Sequence, residues 1–576
     1  MYFLGLISEA LHFVLFIYLA SSVPGTYSAP TNTCRCFPGD ACWPTSDKWH
    51  ELNTTVNGRL ISTVPLASPC HDSEFGPYDE DACQAIQEAW TLPETHINSS
   101  SSIMAPTFAN QSCDPFTPRE QSCILGTYIQ YAIDAREMFD YKAAIRFANR
   151  HNVRLVIRNT GHDWLGKSTG AGALGLWTHH LKYTEILDYE SDYYTGKALK
   201  VGAGVQLMDA FRVTHDEGLV TVGGTCPSVG LAGGYVQGTG HGLLASKFGL
   251  GADQALEWEV VTASGDFIVA SPAENADLYW ALSGGGAASY GAVWSLTLQV
   301  HPDDITSASN LTWSMVGVDE ATFYKGVEIY LEHLPTLLDA GISCNWLSTN
   351  STFIVSPAVG HGMGKAGMDA LHSTLLQDLS GVGINYTYLS REFPTFLDMY
   401  EAMNPLTETS SFDIGSRLIP RRVLRDNPSG IAETMQSLQR YGIVFSGVSF
   451  NVSKPSKSPN AVNQAWRESY VSLVVGTFHD RTNRVLNTQN LALMTNDIIP
   501  EIDLLMPDSK YAYGNEGDPF EPEWQSVFYG ENYGQLLQVK QKYDPTGLFY
   551  ARTAVGSEVW TEANDGRLCR SLDVGA

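Results

Sequence analysis

Residues 153–180 read VRLVIRNTGHDWLGKSTGAGALGLWTHH, and this stretch decides how the chain folds. Its apolar ends predict two buried strands, 153–158 and 174–178, joined by a glycine-rich turn. Glycine lets the backbone approach a ligand closely and present bare N–H groups to an anion. His162, Asp163 and Trp164 lie inside this turn. The sequence therefore predicts chemistry at a place where the backbone passes close to a ligand.

Two further glycine clusters follow, 223–242 (GGTCPSVGLAGGYVQGTGHG) and 284–291 (GGGAASYG). One such loop is common, but three predict a large ligand with a phosphate portion. Gly170, Gly172 and Gly175 match GxGxxG, yet they follow a loop and precede a strand, whereas a dinucleotide fold needs a strand before and a helix after. The sequence has no HExxH motif.

The hydrophobic pattern elsewhere predicts an α+β chain. Helices are expected at 132–150, 205–217 and 531–543, and strands at 198–202, 256–262 and 293–300. The last helix should stop at Asp544-Pro545, because proline cannot continue a helix. From about residue 303 to about residue 525 the glycine loops thin out, and a second α+β region is expected there.

Composition and cysteine usage indicate an exported protein. The net charge of −27 argues against binding nucleic acid or anionic lipid. Leu11–Ala20 has the length of a signal-peptide core, although an uncleaved signal anchor fits the same length. Seven of the ten cysteines precede residue 124, which predicts a disulfide-tied segment in an oxidising compartment, and no spacing predicts a metal site. Seven N-glycosylation sequons are present: Asn53, Asn98, Asn110, Asn310, Asn350, Asn385 and Asn451.

Four ordered motifs carry a resemblance to a known family. RNTGHDW (158–164) resembles the R-x-G-G-H-x-Y flavin-attachment motif of the vanillyl-alcohol oxidase and para-cresol methylhydroxylase superfamily. The 223–242 loop, the stretch ENADLYWALSGGGAASYGAV (274–293) and the tail FYGENYGQLLQVKQKYDPTGLF resemble its berberine-bridge-enzyme-like branch. The resemblance covers roughly 120–303 and 510–555, and it is closest to secreted fungal oxygen-dependent FAD-linked oxidoreductases.

The resemblance implies a fold and a division of the chain. We expect a two-subdomain FAD-binding domain of the para-cresol methylhydroxylase type and an α+β substrate domain with an antiparallel sheet. The expected segments are a signal peptide (1–29), a cysteine-rich segment (30–118), the FAD-binding domain (119–303), the substrate domain (304–525) and a C-terminal segment that returns to the flavin domain (526–576).

The resemblance also implies roles for individual residues. In this branch a histidine and a cysteine both bond to the flavin, and His162 and Cys226 match them. Thr160, Trp164 and Thr239 depart from the family pattern, which has Gly, Tyr and Gly there. The other residues expected at the cofactor are Arg158, Asn159, Thr160, Gly161, Asp163, Gly230, Gly233, Gly238, Gly242, Asn515 and Asn532.

Each of these assignments has a structural alternative. His162 could be a loop histidine bonded to the backbone, and Cys226 could be a buried thiol that acts as a small hydrophobe. Glu516 occupies the slot of a tyrosine that acts as the base in plant members, and it would need burial to raise its pKa. Otherwise it is a solvated loop carboxylate. Asn532 could be a helix N-cap.

The expected function is that of an FAD-dependent oxidoreductase with a doubly attached flavin, which passes electrons to molecular oxygen. Its substrate would be a small organic molecule, an alcohol or a secondary-metabolite intermediate. The alternatives are an oxidative cyclase or dehydrogenase, and a non-catalytic secreted binding glycoprotein. Five aromatic residues of the second region could line the pocket or form core: Trp313, Trp346, Phe445, Trp466 and Tyr470. Four histidines could all be structural and are not assigned to the site: His179, His180, His241 and His479.

Overall fold

The computed structural model describes residues 34–109, 112–405, 408–454 and 456–571. The predicted signal peptide (1–29) and the sequon at Asn110 lie outside the described residues. No helix in the described part of the chain combines the length and the apolar character that crossing a membrane requires.

The quoted stretch forms half of a four-stranded sheet. Its strands are β1 (Leu60–Ser62), β2 (Tyr131–Asp134), β3 (Leu155–Arg158) and β4 (Leu174–Trp177), in the order β1-β2-β4-β3. β2 and β3 both run parallel to β4, so the predicted strands on either side of the glycine turn lie side by side. The helices of this region are α1 (Ser46–Thr55), α2 (Glu80–Ala89), α3 (Pro93–Ile97), α4 (Pro106–Ala109) and α5 (Met138–His151).

The helix predicted at 132–150 begins too early. Residues 131–134 form β2, where the buried Ala132 and Ile133 pair with the central strand β4. The helix proper starts at Met138, where the side chains of Glu137 and Asp140 cap its first turn. The apolar pattern of the strand continued into that of the helix, and the capping box was the signal that separated them.

A second, five-stranded antiparallel sheet follows in the order β5-β6-β10-β8-β9. It confirms the predicted strands near 198–202, 256–262 and 293–300 and the predicted helix near 205–217. The elements are β5 (Thr184–Glu190), β6 (Thr195–Gly202), α6 (Leu207–Asp216), β7 (Leu219–Val220), a π-helical turn (Leu231–Tyr235), α7 (Ala245–Phe248), β8 (Ala255–Val261), β9 (Phe267–Ala270), α8 (Ala276–Leu282) and β10 (Ala292–Gln299).

A seven-stranded antiparallel sheet dominates the second region, in the order β15-β12-β14-β13-β17-β18-β16. Its strands are β12 (Thr306–Ser314), β13 (Ser343–Ser348), β14 (Thr352–His361), β15 (Tyr386–Phe393), β16 (Phe412–Pro420), β17 (Val444–Ser449) and β18 (Ser469–Phe478); the short β11 (His301–Pro302) precedes it and pairs with β7. The helices are α9 (Glu320–Asp339), α10 (Lys365–Gly381), α11 (Phe396–Met403), α12 (Arg421–Asp426), α13 (Pro428–Leu438), α14 (Ala465–Glu468), α15 (Arg484–Leu493) and α16 (Ile499–Asp503).

One face of this sheet packs against helices to form a single large core. Trp313, Trp346, Phe445 and Tyr470 are buried in that core with side chains of α9, α10 and α13. Trp466 belongs to a separate buried cluster. These aromatic residues therefore form core and do not line the cavity described below.

The C-terminal segment returns to the first half of the chain. Its elements are α17 (Trp524–Tyr529), α18 (Tyr533–Tyr543), β19 (Trp560–Glu562) and β20 (Leu568–Arg570). α18 packs against α8 and ends before Pro545, as predicted. The chain has an α+β fold, and the seven-stranded sheet of its second region is antiparallel. The predicted fold class is therefore confirmed.

Four disulfides tie the described chain. Three lie within the cysteine-rich segment, Cys36–Cys42, Cys70–Cys83 and Cys113–Cys123, and Cys34–Cys569 joins the two ends. Cys344 is buried in the core beside the helices and forms no disulfide. Eight of the ten cysteines form these four disulfides. When Cys226 is set aside as well, the cysteine that is left is Cys344, which is a core residue.

Candidate active site

A cavity of about 500 Å³ lies between the glycine loops and the seven-stranded sheet. This volume is within the range of small-molecule sites. Ten of the predicted site residues line it: Asn159, Thr160, Gly161, His162, Asp163, Cys226, Gly230, Gly233, Asn515 and Glu516. Four predicted site residues are not on its wall: Arg158, Gly238, Gly242 and Asn532.

The loop between β3 and β4 owes its shape to Arg158 and Asp163. Arg158 is buried and donates hydrogen bonds to the carbonyl oxygens of Ser99 (3.2 Å), His96 (3.3 Å) and Thr160 (3.3 Å). A carboxylate oxygen of Asp163 accepts from the backbone N–H of Ser168 at 2.7 Å. The two charged side chains therefore hold the turn on which His162 lies, and Arg158 acts from behind the wall.

His162 and Cys226 lie on this wall and form a tight cluster with Ser228. His162 Nε2 lies 2.8 Å from Ser228 Oγ and 3.7 Å from Cys226 Sγ, and Cys226 Sγ lies 3.5 Å from Ser228 Oγ. Burial, with smaller contributions from the nearby His96 and Arg158, lowers the pKa of His162 to about 3. The imidazole is therefore neutral at physiological pH and has a lone pair to offer.

The glycines of the 223–242 loop serve two different purposes. A Cβ placed on Gly233 or Gly234 would meet no atom within 4 Å, so these two residues leave an open, bare stretch of wall. A Cβ on Gly230 would lie 2.2 Å from Asn159 Nδ2, and one on Gly238 would lie 2.4 Å from the Asn515 amide. A Cβ on Gly242 would lie 1.8 Å from the carbonyl oxygen of Gly223. Gly242 is therefore required by packing against backbone, whereas a side chain at Gly230 or Gly238 would displace an Asn side chain.

Thr239 occupies the position where the family pattern has glycine. Its backbone has φ of +99°, a region that β-branched residues rarely adopt. The backbone of this loop therefore keeps the conformation that glycine normally provides, at a cost in strain.

Glu516 lies on the cavity wall and is within hydrogen-bond distance of His241. The distance from His241 Nε2 to Glu516 Oε1 is 3.0 Å. The other carboxylate oxygen, Oε2, is buried and accepts no hydrogen bond from any described residue. Asn515 holds the segment in place, because its Nδ2 donates to the carbonyl oxygen of Gly234 (2.7 Å) and to the hydroxyl of Tyr513 (2.8 Å).

The remaining predicted polar residues hold the surrounding structure. Asn532 Nδ2 donates to the carbonyl oxygens of Ala461 (3.0 Å) and Val462 (3.3 Å), and its side chain does not cap α18. His179 contacts the Asn159 side chain at 3.2 Å, His180 pairs with Asp134 at 2.7 Å, and His479 pairs with Asp413 at 2.9 Å. Those three histidines contact other side chains of the protein and do not line the cavity.

Sequence reasoning missed three residues at this site. His241 was one of four histidines that could have been structural, yet it lines the cavity and contacts Glu516. Lys167 also lines the cavity, and burial lowers the pKa of its ammonium to about 8. Ser228 lies two residues after Cys226, and only this nearness in sequence could have indicated it.

The residues present suit a flavin nucleotide. The wall offers a bare backbone stretch at Gly233 and Gly234, a neutral imidazole beside a thiol, and a buried carboxylate oxygen without a described partner. A planar ring needs such a bare wall, and the last group can accept a proton.

Comparison with known proteins gives the family. The FAD binding domain family matches residues 129–271, and the berberine and berberine-like family matches residues 512–556. The FAD-linked oxidoreductase sor8 of Hypocrea jecorina is 45% identical over 544 residues, which cover 94% of each chain. The chain belongs to the VAO-type FAD-linked oxidoreductases. FAD is its cofactor, and it is an enzyme.

Solved structures agree with this assignment. The crystal structure of the VAO-type flavoprotein MtVAO615 from Myceliophthora thermophila has a TM-score of 0.90 at 38% identity, covering 94% of this chain and 100% of that chain. The berberine-bridge-like enzyme 1 of Physcomitrella patens, at 21% identity and a TM-score of 0.62, shares the fold over 75% of this chain and 92% of its own.

Proposed function

We propose that this VAO-type enzyme carries FAD bonded to both His162 and Cys226, and that it oxidises a small organic molecule with Glu516 as the base and molecular oxygen as the electron acceptor. The observation that carries the proposal is the arrangement of these three side chains on one cavity, with the imidazole and the thiol 3.7 Å apart. Bound FAD would supply the hydride acceptor.

The Ser228 hydroxyl prepares His162 for attachment. Ser228 Oγ lies 2.8 Å from Nε2 of His162 and also contacts the Cys226 sulfur. If Nε2–H donates to Ser228 Oγ, the proton resides on Nε2 and the lone pair resides on Nδ1. A neutral imidazole with its lone pair on Nδ1 is then a nucleophile held in one orientation. A solved glucooligosaccharide oxidase of the same fold is described as having 6-S-cysteinyl, 8α-N1-histidyl FAD, which agrees with this choice of nitrogen.

Glu516 removes the substrate's proton, and His241 holds Glu516 in position. Oxidation by hydride transfer leaves a proton to be removed from the substrate, and the partnerless Oε2 of Glu516 is the acceptor on this wall. His241 Nε2 contacts the other oxygen, Oε1, at 3.0 Å and holds the carboxylate in one orientation. His241 is thus a positioning residue for the base.

Acid precipitation tests the attachment. Wild-type protein is expected to keep its yellow flavin in the pellet, and single His162→Ala and Cys226→Ser variants are expected to keep it through the remaining bond. The double variant should lose all of it. A Ser228→Ala variant should keep the Cys226 bond but lose most of the His162 bond. A colourless wild-type pellet, with the flavin in the supernatant, would contradict covalent attachment.

A second candidate is an oxidative cyclase acting on a secondary-metabolite intermediate. A relative from Penicillium decumbens that is 38% identical over 97% of this chain is named bifunctional decalin synthase. The same base and the same hydride acceptor would serve both reactions. Because both reactions reduce the flavin, peroxide release is expected for both when oxygen reoxidises it, and the product decides: a simple oxidation product supports the oxidase, and a product with a new ring supports the cyclase.

We further infer that the protein works outside the cytosol, either secreted or in the lumen of the secretory pathway. Four disulfides in the described chain and the seven sequons support this location. Detection of the native protein in culture medium tests it.

A further inference from the structure

The seven-stranded sheet turns one face toward the active-site cavity. β17 contributes Val444, Ser446 and Val448, which alternate with the buried Phe445 and Ser449 on the opposite face. This period of two is the expected alternation of a strand with one face on a core and the other on a cavity.

The strands β13, β18 and β16 extend this cavity-facing surface with residues that lie in the same cross-strand rows as those of β17. Ile414, Gly476 and Val444 form one cross-strand row. Val474, Ser446 and Leu347 form the next. All line the cavity.

The chemistry of this wall is almost entirely aliphatic. Phe412 and Val448 complete it, and Ser446 supplies its single hydroxyl group. None of the described strands of this sheet contributes a charged side chain to the cavity. The charged lining residues, such as Lys167 and Glu516, come from the loops instead. An aliphatic wall cannot satisfy the hydroxyl groups of a sugar, because each buried group without a partner costs free energy.

We propose that the substrate is a largely apolar molecule, with an alkyl or alkenyl portion that packs on the Ile414–Val444–Val474 wall and a single oxidisable polar group that faces Glu516. Carbohydrates are excluded as the preferred class. This inference rests on the proposed function, since it names the substrate class of the same cavity.

Isothermal titration calorimetry on the enzyme as purified tests the proposal, because its signal does not depend on flavin. The probes are straight-chain primary alcohols of four to eight carbons, with cellobiose as the polar comparator. Each added methylene should tighten the dissociation constant by about fourfold, from the transfer free energy of a buried methylene. Cellobiose should give no saturable heat.

Three variants make the test specific to the wall. Val474→Thr keeps the side-chain shape but replaces a methyl group by a hydroxyl group. It should weaken octan-1-ol binding by about fivefold. Ser446→Val should tighten it. Val316→Thr makes the same change at an 83% exposed position outside the cavity and should have no effect. Equal melting temperatures for the three would show that folding is not the cause.

A binding constant that does not change with chain length would overturn the proposal, and so would cellobiose binding more tightly than octan-1-ol. A colourless protein that still shows the alcohol series would contradict the proposed flavin attachment and leave the apolar wall supported.

Discussion

Two glycines of the same loop should respond in opposite ways to the same substitution. A Cβ at Gly234 meets nothing within 4 Å, whereas a Cβ at Gly242 lies 1.8 Å from the carbonyl oxygen of Gly223. That second approach is about 1.7 Å shorter than an optimal carbon contact. Because the obstacle is backbone, Gly242→Ala should destabilise the fold by about 3 kcal/mol.

Gly234→Ala should leave the fold intact and impair the cofactor. The added methyl group points into the open cavity, and replacing glycine by alanine there should not lower stability of the flavin-free protein. The same methyl group obstructs a ring that lies on this wall, with a cost of about 1–3 kcal/mol in FAD affinity, or about 5- to 150-fold.

The assay has two readouts. Guanidinium unfolding of flavin-free protein, followed by tryptophan fluorescence, gives the stability of each variant. The ratio of flavin to protein at limiting FAD gives cofactor loading. Equal losses of stability in both variants, or normal flavin loading in Gly234→Ala, would refute the assignment of Gly234 to the cofactor wall.

Three other predictions address the base, the pH dependence and the surface. Glu516→Gln should slow anaerobic flavin reduction by about 10²- to 10⁴-fold with unchanged flavin content, and a loss below tenfold would remove Glu516 as the base. Burial lowers the pKa of His96 to about 4, with ring nitrogens bonded to the Ser102 hydroxyl and the Trp90 carbonyl. Because the unfolded chain binds a proton at about pH 6.5 and the folded chain does not, stability should fall between pH 6.5 and 4 by about 3 kcal/mol, and denaturation curves of a His96→Gln variant should show a smaller fall. Glycopeptide mass spectrometry should find glycan on the exposed Asn350 and none on Asn451, whose amide donates to Asp339 at 2.7 Å; glycan on Asn451 would show that this hydrogen bond is absent when the glycan is added.

Local sequence signals predicted the frame of the cofactor site. The glycine turn between two apolar runs predicted β3, β4 and the position of His162 between them. Those features depend on neighbours in the chain. The strand β2 was mistaken for the start of α5 because its buried Ala132 and Ile133 continue the apolar pattern of the helix.

Contacts between residues that lie far apart along the chain could not be predicted from the sequence. Cys34 pairs with Cys569 across 535 residues, and no spacing rule reaches that far. Glu516 contacts His241 although 275 residues separate them in the chain. The residues around His241 therefore carried no motif that could indicate its role. The aliphatic wall could not be predicted either, since the alternation in β17 shows that two faces differ but not which face meets a cavity.

Peptide mass spectrometry of the denatured and digested wild-type enzyme tests the central claim most directly. A flavin bonded to both residues predicts a single cross-linked species, in which one flavin joins the peptide containing His162 to the peptide containing Cys226. Unmodified forms of both peptides, from protein that was yellow before denaturation, would contradict it.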